Sequence, residues 1–148
     1  MLLSQLRLEI RSIIVDNHGS NVLRQHSFEM DDLAQMCFGQ FDGYYSIYPS
    51  SILYGGYING QLVAMTHITI DLSDVPPEFR YLGKSFVYNT CTHPQYRGRG
   101  YAEALYKFWI QYKSGGHFAN IHPSNTASIQ LHSKLGFVQI SEDLWLLS

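Results

Sequence analysis

At 148 residues, 45% hydrophobic and 15% charged, the chain has the makeup of a single folded domain, 1–148, with its own core. A net charge of −2 argues against general nucleic-acid affinity. No apolar stretch reaches membrane-spanning length, and the first residues lack a signal peptide's layout, so a cytoplasmic protein without a membrane or nucleic-acid partner is expected.

Leu6, Leu8 and Ile10 alternate with Arg7, Glu9 and Arg11, which reads as a first strand, with a short helix as the alternative. Ser27 is placed to cap a helix over about Phe28–Phe41. An aromatic segment with Phe41, Tyr44, Tyr45 and Tyr48 follows. Ile52–Tyr57 and Gln61–Ile70 read as strands joined by Asn59-Gly60, a favoured type I′ pair. Asp71–Gly83, with Pro76-Pro77, reads as a loop, and Ser85–Thr92 as a strand. Beyond a glycine-bearing turn, Leu105, Trp109 and Tyr112 fall at i, i+4, i+7 and predict a helix ending at Gly115-Gly116. Phe118–His122 predicts a short strand, Ser124 a cap for a helix to Leu135, and Gly136 its stop. Phe137–Ile140 and Leu144–Leu147 close the chain as strands, giving a mixed α/β sheet with helices on its faces.

The turn between the strand at 85–92 and its following helix carries Arg97-Gly98-Arg99-Gly100. Glycines let phosphate oxygens approach backbone N–H groups, the helix start adds its dipole, and Arg97 and Arg99 add charged donors. A dinucleotide fingerprint would need glycine where Glu103 stands, and a P-loop would need Gly-Lys-Ser/Thr, so both fail.

Arg97-Gly98-Arg99-Gly100-Tyr101-Ala102 resembles the acetyl-CoA loop of the GNAT superfamily of N-acetyltransferases, Arg/Gln-x-x-Gly-x-Gly/Ala. The frame from Gln95 also fits the bare pattern; Pro94, three residues before Arg97, favours the later one. The block Asn125-Thr126-Ala127-Ser128-Ile129-Gln130-Leu131-His132-Ser133-Lys134-Leu135-Gly136-Phe137 is similar to the family's C-terminal signature. The resemblance implies a GNAT-like, mostly antiparallel central sheet of six or seven strands with about four helices.

It also implies an acetyl-CoA-dependent N-acetyltransferase acting on a small-molecule primary amine by direct attack, as a monomer or homodimer. Alternatives are a protein N-terminal or lysine acetyltransferase, and a non-catalytic acyl-CoA sensor. Carried over, the cofactor site comprises Thr90, Cys91 and Thr92 along the strand, Arg97, Gly98, Arg99, Gly100, Tyr101 and Ala102 in the loop, and Asn125 at the pantetheine or the departing sulfur. His132 stands where many relatives have a tyrosine that protonates the leaving thiolate, and imidazole suits acid work near neutral pH. For the base, Tyr88 offers a relay through water, with His67 and His122 as further candidates. Two cysteines, Cys37 and Cys91, far apart in the chain, argue against a disulfide scaffold and for a reducing compartment, with Cys91 a free packing residue. Seven histidines raise the question of a metal, but none is spaced as His-Glu-x-x-His, and His117 and His122 would face opposite sides of a strand. No metal is expected.

Overall fold

A computed structural model of the chain describes residues 7–14, 22–39, 51–112 and 115–148. Among the described residues the strands are β1 (Glu9–Ile14), β2 (Ser51–Ile58), β3 (Gln61–Thr69), β4 (Ser85–Thr92), β5 (His117–Asn120), β6 (Val138–Gln139) and β7 (Leu144–Leu147). The α-helices are α1 (Val22–Phe38), α2 (Tyr101–Tyr112) and α3 (Thr126–Lys134), with 3-10 turns at Pro77–Leu82 and Pro94–Tyr96. The strands form one sheet in the order β1-β2-β3-β4-β5-β7-β6. Only β4 and β5 run parallel, linked by the α2 crossover; the other pairs are antiparallel.

Most expected boundaries hold within a few residues. The first strand starts at Glu9, with the described Arg7 and Leu8 outside it, and α1 begins at Val22, so Ser27 lies inside the helix instead of capping it. The aromatic segment at Phe41–Tyr48 lies outside the described residues. Asn59 (φ 50°) and Gly60 (φ 80°) make the β2–β3 turn, a left-handed pair that asparagine and glycine tolerate. The expected loop at 71–83 contains a 3-10 turn, started by Pro77 and fastened by the Arg80 guanidinium, whose Nε donates to the Val75 carbonyl at 2.7 Å.

β3 is buried on both faces, which explains its long apolar run. Strand alternation sends Leu53, Met65 and Cys91 toward Met30, Leu33 and Ala34 of α1. Tyr54, Ala64, Ile68 and Val87 face the opposite layer, built on Leu105, Tyr106 and Trp109 of α2.

This packing overturns the expectation for the cysteines. Cys37, in the last turn of α1, and Cys91, in β4, form a disulfide with Cα atoms 6.0 Å apart, and the described residues contain no free cysteine. Fifty-four residues separate them in sequence, but chain separation does not limit distance once α1 lies on β3 and β4.

His67 sits in the same interior at 1% exposure, and burial pushes its imidazole down to about 3. Alternation sets it on the Met65 side of β3, away from Thr66. Below the ordinary value of 6.5 the unfolded chain binds a proton that the folded one refuses. This contribution to stability is therefore complete above about pH 6.5 and is lost as pH falls toward 3, at about 1.4 kcal/mol per unit. Denaturant unfolding at pH 7.5 and pH 5 should show a loss of about 2 kcal/mol or more, and a shallower dependence in His67→Gln. Equal slopes in the two proteins would remove His67 as the cause.

Candidate functional site

The ladder between β4 and β5 joins Ser85–Val87 to His117–Ala119 and stops there, although β4 continues to Thr92. Among the described residues the β5 side of β4 has no ladder partner beyond Val87, so the pairing of the two strands ends there. It ends at a bulge: Ile68 pairs with Val87 and His67 with Asn89, so Tyr88 is the extra residue in β4. The Tyr88 side chain lies outside the described residues.

At its far end β4 runs into the Pro94–Tyr96 turn, where His93 Nδ1 accepts the Gln95 N–H at 3.1 Å. Gly98 (φ 77°) and Gly100 (φ 80°) follow in the left-handed region. A Cβ at either would meet no atom within 4 Å, so glycine is required there by backbone conformation and leaves open space beside the chain. The Gly100 carbonyl accepts the Ala104 N–H at 3.0 Å and opens α2, whose start offers amides and a positive dipole end to an anion. Arg97 Nε donates to the Thr92 carbonyl at 3.1 Å, and the Arg99 guanidinium lies 5.1 Å from the centre of the Tyr96 ring. Glu103, an acid in the first turn, is turned to Lys134 and Lys107, each 3.1 Å away. The Lys134 hydrogen bond, then that of Lys107, holds its carboxyl below the ordinary range.

The strand, the loop and α3 enclose a hollow of about 460 Å³ lined by Thr90, Cys91, Thr92, Arg97, Ala102, Asn125 and His132. Gly98–Tyr101 lie between two of its lining residues. Most residues expected at a cofactor site are thus brought to one place. A second hollow, of about 180 Å³, opens between Val87 and Asn89 of β4 and Ala119 and Asn120 at the end of β5. The two share Thr90, Tyr106, Asn125, Ser128 and His132 as a common wall.

Asn125 rather than Ser124 caps α3: its Oδ1 accepts the Ser128 N–H at 3.1 Å. Its amide nitrogen is left to donate to a ligand. Ser124 instead meets His122, Oγ to Nδ1 at 2.6 Å, on the exposed surface. Neither His122 nor His67 lines either hollow.

His132 is 3% exposed, with Tyr106 and Phe137 edge-on at 5.0 Å. Its Nδ1 lies 2.7 Å from the Ser128 carbonyl, which can only accept, so Nδ1 carries the proton. In the neutral ring Nε2 is then the acceptor, and it is buried with no hydrogen-bond partner among the described residues. Burial lowers the basicity of this imidazole, against the opposing pull of the Ser128 carbonyl. The neutral tautomer with a lone pair on Nε2 therefore prevails at neutral pH.

Sequence pattern assigns no site role to Tyr106, and names Ser128 only as part of the Asn125–Phe137 block. Tyr106 shares a helical row with Ala102 and Trp109, at i, i+4, i+7. Its hydroxyl meets Thr90 Oγ1 at 2.9 Å, which lies 3.3 Å from Thr66 Oγ1. Burial pushes the phenol up to about 12, so it stays protonated and keeps a donor beside Thr90. Among the described residues no group of three His, Cys, Asp or Glu is placed to hold a metal ion, and no helix is long and apolar enough to cross a membrane.

Residues 9–137 match the model of the Acetyltransferase (GNAT) family. The ribosomal-protein-S18-alanine N-acetyltransferase from Escherichia coli shares the fold at a TM-score of 0.68 and 15% identity, over 95% of this chain and 91% of that one. NAA60 from Arabidopsis thaliana, solved with acetyl-CoA, gives 0.66 at 13% identity, over 94% and 98%. An acetyltransferase of the same family from Streptococcus pneumoniae gives 0.63 at 15%, over 95% and 97%. No curated protein matches the sequence significantly.

Proposed function

Because the chain belongs to the GNAT family of acetyltransferases, we propose that it moves an acetyl group from acetyl-CoA to the primary amine of a small molecule by direct attack in a ternary complex. One observation carries this reading: two hollows meet at a wall containing Thr90 and His132, so donor and acceptor can be held at once on either side of a polar contact point.

The open space at Gly98 and Gly100, the α2 start, Arg97 and Arg99 suit a pyrophosphate, and the larger hollow suits the arm attached to it. Acetyl-CoA, when bound, supplies an acetyl group activated as a thioester. Thr90, Cys91 and Thr92 present the β4 edge to it, and an N–H of that edge stabilises negative charge developing on the carbonyl oxygen. Asn125 donates its amide nitrogen near the sulfur. His132 Nε2 accepts the proton shed by the attacking amine and, as imidazolium, returns it to the departing thiolate. Its own Nδ1 proton is committed to Ser128, so the acid form must be loaded through Nε2. Tyr88, at the bulge, is the second residue we assign to proton transfer, as a relay through water.

A second reading concerns the acceptor. Among the described residues the smaller hollow is lined by neutral side chains, with no carboxylate to pair with an alkylammonium. An α-amino group, with its pKa of about 7.7–8.0, arrives partly neutral and needs less help. A peptide N-terminus fits this, and one structural neighbour is an S18-alanine N-acetyltransferase.

Thiol release from acetyl-CoA should be followed with amino sugars, polyamines, free amino acids and short peptides as acceptors. Turnover of small amines but not peptides is the expected outcome. Turnover of peptides alone moves the assignment to protein N-termini or lysines, and tight acetyl-CoA binding without turnover on any amine makes the domain a sensor.

A further inference from the structure

Cys37 and Cys91 both line the larger hollow, and Cys91 stands between Thr90 and Thr92 on the strand assigned to the thioester-bearing arm. A cleft whose reaction releases a thiol thus has a disulfide in its wall. Nothing in acetyl transfer uses that bond, and it is an electrophile toward the product. We propose that the Cys37–Cys91 disulfide is a thiol-exchange site for free coenzyme A, which becomes attached to Cys91 as a mixed disulfide. The inference rests on the donor reading of the cleft given above.

The two sulfurs are not equivalent. Cys91 is 3% exposed among Met30, Leu33, Ala34 and Met65, where burial penalises a departing thiolate. Cys37 has the Arg97 guanidinium 3.9 Å from its Sγ, so a thiolate leaving there is stabilised. Cys91 Sγ therefore accepts the incoming thiolate, and a bond forms between it and the coenzyme A sulfur. The Cys91–Cys37 bond breaks, its electron pair leaves on Cys37 Sγ, and Cys37 takes up the proton that the incoming thiol lost on ionising. One disulfide replaces another, with no external oxidant or reductant. The exchange unties α1 from β4 and anchors product in the donor cleft until Cys37 attacks back and expels it.

The oxidised protein should be incubated anaerobically with coenzyme A and examined by intact-mass and peptide mass spectrometry. A gain of one coenzyme A is expected on the Cys91 peptide, with Cys37 newly open to alkylation and the adduct reversed by dithiothreitol. Held in the cleft, coenzyme A should react at least about tenfold faster than glutathione. Excess desulfo-coenzyme A should remove that advantage. Cys37→Ser, with no disulfide to open, should form no adduct under the same conditions. Absence of an adduct from the wild-type protein, a rate equal to that of glutathione, or coenzyme A found on Cys37 would each overturn the proposal. Calorimetry with acetyl-CoA on the same sample separates the two readings: binding without adduct removes only the exchange, whereas no binding removes the donor assignment as well.

Discussion

His132→Ala is expected to lower kcat by about 10²-fold or more while acetyl-CoA affinity stays within a few-fold of wild type. The ring is held by Ser128 on one side and by Tyr106 and Phe137 at its edges, so the imidazole is fixed before any substrate arrives. On the role proposed for His132, this substitution takes away the proton acceptor and leaves residues 97–102 unchanged. The pH dependence follows from the same geometry. Burial lowers the basicity of His132, so the acceptor form is lost only as pH falls below the ordinary histidine range. The acidic limb of kcat should lie below that of an exposed imidazole and disappear in the alanine variant. Stopped turnover assays across pH 5–9 would decide, and a rate within about twofold of wild type would end the proton-transfer role.

Gly100→Val is expected to weaken acetyl-CoA binding by about 10²-fold or more. At φ 80° a β-branched residue is strained, and its side chain would project into the open space that suits a phosphate. Two effects then act together: the N-terminal cap of α2 is distorted, and the approach to backbone amides is blocked. Calorimetry with acetyl-CoA measures the loss, and thermal unfolding reports the share due to strain. Gly60→Val, at the same φ but in the β2–β3 turn, supplies the comparison. It should lose stability with little change in affinity, and equal affinity losses in the two variants would remove the loop from the binding site.

Much of the fold was legible because its signals are local. Asn59-Gly60 can turn a hairpin with no help from the rest of the chain, and the row Leu105–Trp109 buries one helix face wherever that helix docks. Boundaries failed where neighbouring residues compete for one role. Ser124 and Asn125 are both good caps, and the outcome depends on His122, which engages the serine hydroxyl and leaves the asparagine to α3. Ser27 looked like a cap, yet the helix starts at Val22.

The sequence by itself determined the segments whose chemistry is contiguous. Arg97–Ala102 places glycines, cations and a helix start within one loop, and Asn125–Phe137 places the cap, His132 and the closing glycine on one helix; short-range covalent geometry sets both. Tertiary structure alone decided what meets across chain distance. Cys37 reaches Cys91 because α1 packs on β3 and β4, and Thr90, Tyr106, Ser128 and His132 share one wall because the pairing of β4 with β5 ends at Val87. The tautomer of His132 belongs to the same class, since the Ser128 carbonyl fixes it only once α3 has formed. Long-range packing pairs residues by shape and burial, and spacing along the chain carries no record of those pairings.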